Sequence, residues 1–264
     1  MNLYMVPPMA DLFGGAAPSY AKYRTRPPEP AIAHLAAAFG ADSTVLDLGC
    51  GPGTLAIPLA GRVREVLAVD PDHGMLAEGR RLARRSPNVR WMAGDSARLG
   101  ELPAFDHVVM GRSFHWMDRR AVLAEPDALL PRDGVVVLVG PAADEPEQPW
   151  EPAMRRVRDA SGINTFTASN SYQATGEPRE AVLSGSPFRM LARARFEQRL
   201  TYDVTAVVGP QLSYPYTVPA ALGGRLEAFA EEAGRALLAD RPSGRWDLTT
   251  VTEVVTARRP PRSP

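Results

Sequence analysis

An acidic residue followed by three glycines in alternate positions is the segment of this chain best suited to chemistry. Asp47 precedes Gly49, Gly51 and Gly53 in the run Val45-Leu46-Asp47-Leu48-Gly49-Cys50-Gly51-Pro52-Gly53. Glycine adopts backbone angles that other residues rarely adopt, and it lets the main chain approach a ligand closely. Because the run follows a short apolar stretch and precedes helical spacing, it is typical of a turn that holds an adenosine-containing cofactor.

Two classes of cofactor fit this turn. The stretch from Gly51 to Ala56 satisfies the pattern Gly-x-Gly-x-x-Gly/Ala, in which backbone amides receive the pyrophosphate of a dinucleotide. A carboxylate at Asp47 would repel that anion, whereas it would attract the sulfonium and ammonium groups of S-adenosylmethionine. The acid before the glycines therefore favours the sulfonium cofactor over NAD(P).

Two further acids follow the ends of the next predicted strands. We expect Asp70 to hydrogen-bond the ribose hydroxyls, a role that NAD sites share, and we expect Asp95 with Ser96 to bind the adenine. Alternatively, each carboxylate only caps the next helix or turn. Because both acids end strands on one edge of a sheet, downstream of the glycine turn, a shared site is the favoured interpretation.

The elements that must position these acids alternate between strand and helix from residue 44 to residue 140. This alternation predicts a parallel sheet with helices on both faces and right-handed crossovers. Beyond residue 140 we expect a polar loop over Ser161 to Ser186, a strand from Phe188 to Tyr202, a helix from Arg225 to Asp240 and a last strand from Trp246 to Ala257.

The motifs resemble those of a known family. The segments Val45 to Leu59, Val66 to Met75, Val89 to Ser96 and Phe105 to Asp118 are similar to successive motifs of class I S-adenosylmethionine-dependent methyltransferases. The resemblance covers residues 20–140. It implies a Rossmann-like three-layer α/β/α sandwich whose seven-stranded sheet is mostly parallel, with an antiparallel last strand inserted between the fifth and the sixth.

A second resemblance concerns the start of the chain. Tyr20 to Pro27 resembles the opening of the trans-aconitate methyltransferase-like branch, which implies that a tyrosine and Arg24 cover the cofactor and bind its carboxylate; Tyr20 and Tyr23 both match. The residues expected at the cofactor, from the motifs and the resemblance together, are Tyr20, Tyr23, Arg24, Asp47, Gly49, Cys50, Gly51, Thr54, Asp70, Pro71, Met75, Asp95, Ser96, Gly111 and Arg112.

The resemblance also implies one methyltransferase domain over residues 1–264. Within it, residues 1–43 would cover the cofactor and residues 44–140 would form the cofactor-binding core. Residues 141–187 and 203–224 would be substrate-lid insertions, and residues 188–258 would supply the closing strands and helix.

Methyl transfer needs little from the protein beyond bringing the acceptor into line, so a general base is required only if the acceptor loses a proton. His115, in the loop after the fourth strand, is the candidate catalytic base; alternatively it orders the loop or closes over the methionyl tail. Trp116, Tyr214 and Tyr216 are candidate substrate contacts, against packing and surface-turn alternatives. We interpret Cys50 as a buried, inert filler of the turn.

Composition excludes several function classes. The formal net charge of zero offers no general attraction to nucleic acid, and four histidines and one cysteine show no metal-ligand spacing. No apolar run reaches the roughly 18 residues that span a bilayer. We therefore expect a cytoplasmic enzyme that methylates oxygen, nitrogen or carbon of a small molecule, with no metal; its oligomeric state, monomer or homodimer, stays open. The alternatives are a cyclase that uses the bound cofactor without methyl transfer, an NAD(P)-dependent oxidoreductase and a cofactor-binding regulator.

Overall fold

The computed structural model describes residues 12–163 and 176–261, which form two compact units. The sheet unit comprises residues 26–142, 176–196 and 251–261, and the helical unit comprises residues 12–25, 143–163 and 197–250. Residues 1–11, 164–175 and 262–264 of the predicted segments lie outside the described residues. The single-domain division of the chain stays a prediction.

Seven strands form one sheet in the order β3-β2-β1-β4-β5-β7-β6. Strands β1 to β5 pair in parallel, and β7 pairs antiparallel with β5, between β5 and β6. This arrangement confirms the predicted mixed sheet and the inserted last strand. The strands are β1 (Thr44–Leu48), β2 (Glu65–Asp70), β3 (Val89–Ala93), β4 (His107–Gly111), β5 (Val136–Pro141), β6 (Met190–Asp203) and β7 (Arg245–Arg258).

Ten α-helices accompany the sheet in the described residues. Those of the sheet unit are α2 (Glu29–Phe39), α3 (Ala56–Ala60), α4 (His73–Leu82), α5 (Ala121–Leu129) and α7 (Arg179–Ser184). Those of the helical unit are α1 (Ala17–Tyr23), α6 (Glu151–Ala160), α8 (Val204–Gln211), α9 (Pro219–Leu222) and α10 (Leu226–Asp240). No helix in the described part of the chain is long and apolar enough to cross a membrane.

The strands of the sheet unit are buried on both faces, which is why they read as continuous apolar runs. All five residues of β1 are buried, and successive side chains enter opposite hydrophobic clusters: Val45 packs with α2 and α3, whereas Leu46 packs with α5 and α7. Period-two alternation of side chains thus gives each parallel strand a layer of helices on either side. The unit is the predicted α/β/α sandwich.

Buried polar groups connect the sheet to its helices. His107 at the start of β4 accepts the Val135 amide at Nδ1 (3.2 Å) and donates from Nε2 to the Phe39 carbonyl (3.0 Å). Burial lowers the pKa of this imidazole, which keeps it neutral and able to do both. This histidine ties β4 to the end of α2 and the start of β5.

One helix corrects the expectation of a loop, and another forms in a segment predicted as a lid insertion. The segment expected as a polar loop contains α7, which forms because Val182 and Leu183 are buried in the cluster that includes Phe188. Residues 203–224 contain α8, although its β-branched residues have low helix propensity. The Asp203 carboxylate caps α8 at the Ala206 amide (2.7 Å), and burial of Val207 supplies the rest.

The helical unit has its own core. The long helix α10 packs on α6 and α8, and α1 packs on α8. Tyr23 lies so close to Gly209 of α8 that a Cβ there would come within 2.3 Å of the tyrosine ring. Helix α1 requires this glycine for its close approach to α8. This part of the predicted cofactor-covering segment therefore packs tightly within the helical unit.

Replacing Gly134 by alanine tests the packing at the entry to β5. A Cβ at this position would lie 2.7 Å from the Asp106 carbonyl and 2.9 Å from the Pro131 carbonyl, and backbone atoms cannot swing away as side chains do. We expect Gly134→Ala to lower the free energy of unfolding by about 1–3 kcal/mol, as overpacking does. Chemical denaturation monitored by circular dichroism would measure this.

Gly100→Ala is the matched control, because a Cβ at Gly100 meets no atom within 4 Å. Equal stabilities of the two variants would contradict the packing at Gly134.

Candidate functional site

The glycine turn leaves the carboxyl end of β1 and holds three left-handed glycines. Gly49, Gly51 and Gly53 have φ angles of 70°, 54° and 85°. A Cβ at Gly49 would lie 2.5 Å from Cβ of Ser113, and one at Gly53 would lie 2.6 Å from the Trp91 ring. Both conformation and space therefore demand glycine at Gly49 and Gly53.

Asp47 lies on β1 directly before the turn and is almost completely buried, with 1% of its surface exposed. Its carboxylate accepts the Ala56 amide, but Oδ2 has no hydrogen-bond partner among the described residues. Burial, which strips the carboxylate of water, and the charge of Asp70 together raise the pKa of Asp47 to about 7, although the hydrogen bond from the Ala56 amide opposes the shift. A buried polar atom without a partner is uncommon and marks a place where a ligand group would be stabilising.

Asp70 ends β2 beside the turn. Its Oδ2 accepts the Gly51 amide (2.8 Å) and its Oδ1 accepts the Asp72 amide (2.9 Å). Burial nevertheless raises the pKa of Asp70 to about 6, although these two hydrogen bonds oppose the shift. Asp70 thus orders the turn in addition to presenting a carboxylate at the edge of the sheet.

The start of α4 follows Asp70 closely. Asp72 caps this helix by accepting the Met75 amide (2.9 Å), as a helix start at this residue predicts. Met75 is buried, and Pro71 is half-buried between the two acids. The position of Met75 fits both packing in the helix core and contact with a ligand at the edge.

Asp95 and Ser96 follow β3 at the same edge. Asp95 is exposed, and its Oδ1 accepts the Ala97 amide (2.9 Å). This bond is the turn-capping role that the sequence left open, and it occupies one carboxylate oxygen. Ser96 is half-buried.

Cys50 is 3% exposed inside the turn. Burial and the neighbouring carboxylates of Asp47 and Asp70 raise the pKa of its thiol well above the ordinary value, so the thiol stays protonated. This confirms the interpretation of Cys50 as a buried filler. Thr54, which follows Gly53, is half-buried.

The loop after β4 closes on the glycine turn. Ser113 is buried and donates from Oγ to the Leu48 carbonyl (2.6 Å), and Gly111 lies so close to Leu55 that a Cβ would be 2.6 Å from its Cδ1. Between them, Arg112 has a φ of 57°, the only positive φ of a non-glycine residue in the described ranges. That conformation costs about 1–2 kcal/mol for a residue with a side chain.

His115 and Trp116 continue this loop in a short 3-10 helix, Phe114–Trp116. Their rings are 5.0 Å apart at 46°; His115 is exposed and Trp116 is half-buried. The exposed imidazole is accessible to a substrate, so the geometry allows the predicted role as a base. It equally allows a role in ordering the loop.

The remaining predicted residues lie in the helical unit and contact one another there. Arg24 donates from Nε to Oγ of Ser213 (2.8 Å), and its guanidinium lies 5.0 Å from the Tyr20 ring and 4.2 Å from the Tyr214 ring. Tyr214 stacks on Tyr216 at 5.5 Å and 10°. Tyr20 and Arg24, predicted to cover the cofactor, therefore lie in the same unit as Tyr214 and Tyr216, predicted to contact the substrate.

A buried arginine that the sequence did not reveal lies in the same unit. Arg158 of α6 is 5% exposed, forms an ion pair with Glu151 and donates to Oε1 of Gln211 (3.3 Å). Burial raises the pKa of the nearby Tyr216 to about 12, so its hydroxyl stays protonated. The available signal was the spacing of Met154 and Arg158, which places the arginine on the apolar face of α6.

A group that the turn can hold must complement two buried carboxylates. Asp47 offers an unpartnered oxygen, and Asp70 already occupies the Gly51 amide that a pyrophosphate would need. Cationic groups fit this donor set, and a dinucleotide phosphate does not. The described residues hold no group of three or more metal-binding side chains.

Known proteins match this chain in sequence. Residues 45–134 match a family model described as a methyltransferase domain. The trans-aconitate 2-methyltransferase of Methylobacterium nodulans is 33% identical over 180 residues, which cover 67% of this chain and 66% of that protein. The aligned part thus spans just under two thirds of that relative's length.

Solved structures match the fold. A putative type II methyltransferase from Anaeromyxobacter dehalogenans superposes with a TM-score of 0.60 at 20% identity, over 90% of this chain and 98% of that one. A S-adenosylmethionine-dependent methyltransferase from Thiobacillus denitrificans, in complex with S-adenosylhomocysteine, superposes with a TM-score of 0.50 at 16% identity, over 97% and 99%. At these identities the likeness shows the shared fold.

The raised pKa of Asp47 predicts how its replacement by asparagine changes stability. Because the folded state raises this pKa from 3.8 to about 7, the carboxyl's contribution to stability is fully present below about pH 4. The contribution is lost progressively as the pH rises through about 7. We expect Asp47→Asn to be more stable than the wild type by about 1–4 kcal/mol at pH 8, and the gain to vanish near pH 4.

Urea unfolding at the two pH values would measure this difference. Asp42→Asn, which removes an exposed carboxyl, should change stability little at either pH. A wild type that is the more stable protein at pH 8 would show that the carboxylate of Asp47 is stabilised by a partner.

Proposed function

We propose that the chain is a class I S-adenosylmethionine-dependent methyltransferase, which transfers a methyl group from that cofactor to an oxygen, nitrogen or carbon atom of a small-molecule acceptor in specialised metabolism. The observation that carries this proposal is the buried, unpartnered Oδ2 of Asp47 beside the glycine turn. The single cysteine, which leaves no internal disulfide to form, is in keeping with a cytoplasmic location.

Different residues of the proposed cofactor site would bind different parts of the cofactor. Asp47 and the backbone of Gly49 and Gly51 would hold the cationic methionyl part, because an ionised carboxylate in a dry site attracts a cation strongly. Asp70, at the end of β2, would bind the ribose hydroxyls, and Asp95 after β3 would bind the adenine amino group. The other residues of the sheet unit proposed at the cofactor are Cys50, Thr54, Pro71, Met75, Ser96 and Gly111; Arg112 is considered separately below, and the roles expected of Tyr20, Tyr23 and Arg24 stay predictions from the sequence.

When bound, the cofactor supplies a methyl group on a sulfonium, which makes the carbon electrophilic without any help from the protein. The chain's contribution is to orient the acceptor, and holding two reactants in line is worth roughly 7–11 kcal/mol of the barrier. His115, exposed on the loop after β4, would accept a proton from a hydroxyl or amine acceptor. Trp116 on the same loop is the proposed acceptor contact, and the roles expected of Tyr214 and Tyr216 stay predictions from the sequence.

A small acceptor is supported by the relative at 33% identity, whose name identifies trans-aconitate as the molecule it methylates. It is also supported by the formal net charge of zero, which offers no general attraction to nucleic acid. The dinucleotide alternative loses support because Asp70 occupies the Gly51 amide with a negative charge.

Isothermal titration with S-adenosylmethionine, S-adenosylhomocysteine and NADH tests the cofactor. We expect both sulfur compounds to bind and NADH not to bind, and we expect their affinities to fall as the pH drops below about 7, where Asp47 takes up a proton. Asp47→Asn should weaken binding of S-adenosylmethionine by about 10-fold or more, since it removes the charge; Asp42→Asn should not.

Binding of NADH alone would refute the assignment. Turnover with methyl-labelled cofactor then separates methyl transfer from cyclisation, because a product formed while the label stays on the cofactor excludes transfer.

His115→Ala tests the base. If His115 accepts the proton, the turnover number should fall by about 100-fold for a hydroxyl or amine acceptor, while affinity for S-adenosylhomocysteine stays unchanged. His73→Ala, which removes another exposed histidine, should keep full turnover. A loss of cofactor affinity with normal turnover at saturation would make His115 a binding residue instead.

A further inference from the structure

Arg112 stands in a backbone conformation that glycine would adopt without strain. Its φ is 57°, and its amide donates to the Val139 carbonyl on β5 (2.9 Å), which fixes that conformation at the end of β4. Strained non-glycine residues cluster at binding and catalytic sites, where the side chain compensates for the cost. The strain at Arg112 thus points to a use for its side chain.

The guanidinium of Arg112 makes no ion pair or hydrogen bond with any described residue, although the residue is half-buried. Neighbouring arginines are paired. Arg179 donates from Nε to Glu180 (2.9 Å) and forms an ion pair with Glu253, which also receives Nε of Arg195 (2.9 Å). A partly desolvated cation that lacks a counter-ion favours binding of an anion.

Gly140 at the end of β5 lies between the side chains of Arg112 and Arg179. A Cβ built there would lie 4.0 Å from Cγ of Arg112 and 3.9 Å from Nη1 of Arg179, and it would meet no other atom within 4 Å. Two arginine side chains therefore flank a position that carries no side chain. Guanidinium groups bind planar anions through paired hydrogen bonds, so a carboxylate is the class of anion that suits these two side chains.

We infer that Arg112, reinforced by Arg179, binds a carboxylate of the methyl acceptor. This inference rests on the proposed methyl transfer and names the acceptor as an anionic compound. The cofactor has a carboxylate of its own, but the acids proposed to hold the cofactor lie on β1, at the end of β2 and directly after β3. The Arg112 side chain instead extends over β5, on the far side of β4 from β1.

Arg112 determines specificity and does not activate the reacting atom. A guanidinium that held the attacking oxygen would draw electron density from it and make it a poorer nucleophile. The carboxylate at Arg112 is therefore a handle separate from the atom that is methylated, and the acceptor has at least two functional groups.

The test uses the protein saturated with S-adenosylhomocysteine and the probes succinate, trans-aconitate and benzoate, titrated calorimetrically beside neutral dimethyl succinate. We expect at least one carboxylate to bind and the diester not to bind. Arg112→Gly keeps the backbone conformation and relieves its strain, so it should fold at least as well as the wild type and weaken the carboxylate by about 10- to 100-fold. Arg112→Gln, which also removes the charge, should weaken carboxylate binding to a similar degree. Arg84→Gln, at an exposed arginine, should leave carboxylate binding unchanged.

A second variant fills the space instead of emptying it. Gly140→Asp places a carboxylate between the two arginines and should abolish binding of the probe while leaving affinity for S-adenosylhomocysteine intact. Gly100→Asp adds the same charge where a side chain meets nothing within 4 Å, and it should bind like the wild type.

The outcomes separate this inference from the proposed function. If the wild type does not bind S-adenosylhomocysteine, both fail. If it binds S-adenosylhomocysteine but none of the three carboxylates, or if Arg112→Gly leaves their affinity unchanged, only the acceptor inference fails. If Arg112→Gly weakens the binding of S-adenosylhomocysteine itself by 10-fold or more, Arg112 binds the cofactor's carboxylate and the inference is wrong.

Discussion

Burial of carboxylate charge at the carboxyl ends of β1 and β2 is the constraint on which the site depends. Asp47 and Asp70 are 1% and 8% exposed, and burial raises the pKa of each. A carboxylate that loses its water without gaining a cation costs free energy, so the surrounding chain compensates where it can. Two amides bind Asp70, whereas one oxygen of Asp47 keeps no partner among the described residues.

The rigid sheet keeps the buried carboxylates in fixed positions, where a ligand can bind them. Because parallel strands end at the same edge, the register of β1 with β2 and β4 fixes where each acid and each loop stands. The Ser113 hydroxyl holds the β4 loop on Leu48, and close approach at Gly49 leaves no room for a side chain. The packed sandwich thus keeps the charged groups buried, whereas on flexible loops they would become solvated.

The sheet unit was predictable because its physics is local. Short apolar runs such as Thr44–Leu48, bounded by glycine and proline, have few alternatives to a buried strand, and their alternation with helices fixes the topology. Helix α8 was not predictable, because Val204, Val207 and Val208 favour strands, and the helix forms through the Asp203 cap and the burial of Val207 and Val208. The left-handed conformation of Arg112 leaves no pattern in the sequence, and the burial of Arg158 is indicated only by its place on the apolar face of α6, since both depend on neighbours distant in the chain.

The sheet unit contains one acidic and one basic side chain that are each held in an unfavourable state. Together they indicate which charged groups a ligand of the site would carry. Asp47 is a buried acid with an unpartnered oxygen, and Arg112 is a strained cation with no counter-ion among the described residues. A protein selected for stability alone would hold asparagine and glycine at these positions, so both costs favour ligands of the opposite charge. A cationic donor would relieve the first and an anionic acceptor the second. Since β4 lies between the strands that carry Asp47 and Gly140, the two ligands would meet across the loop that bears His115.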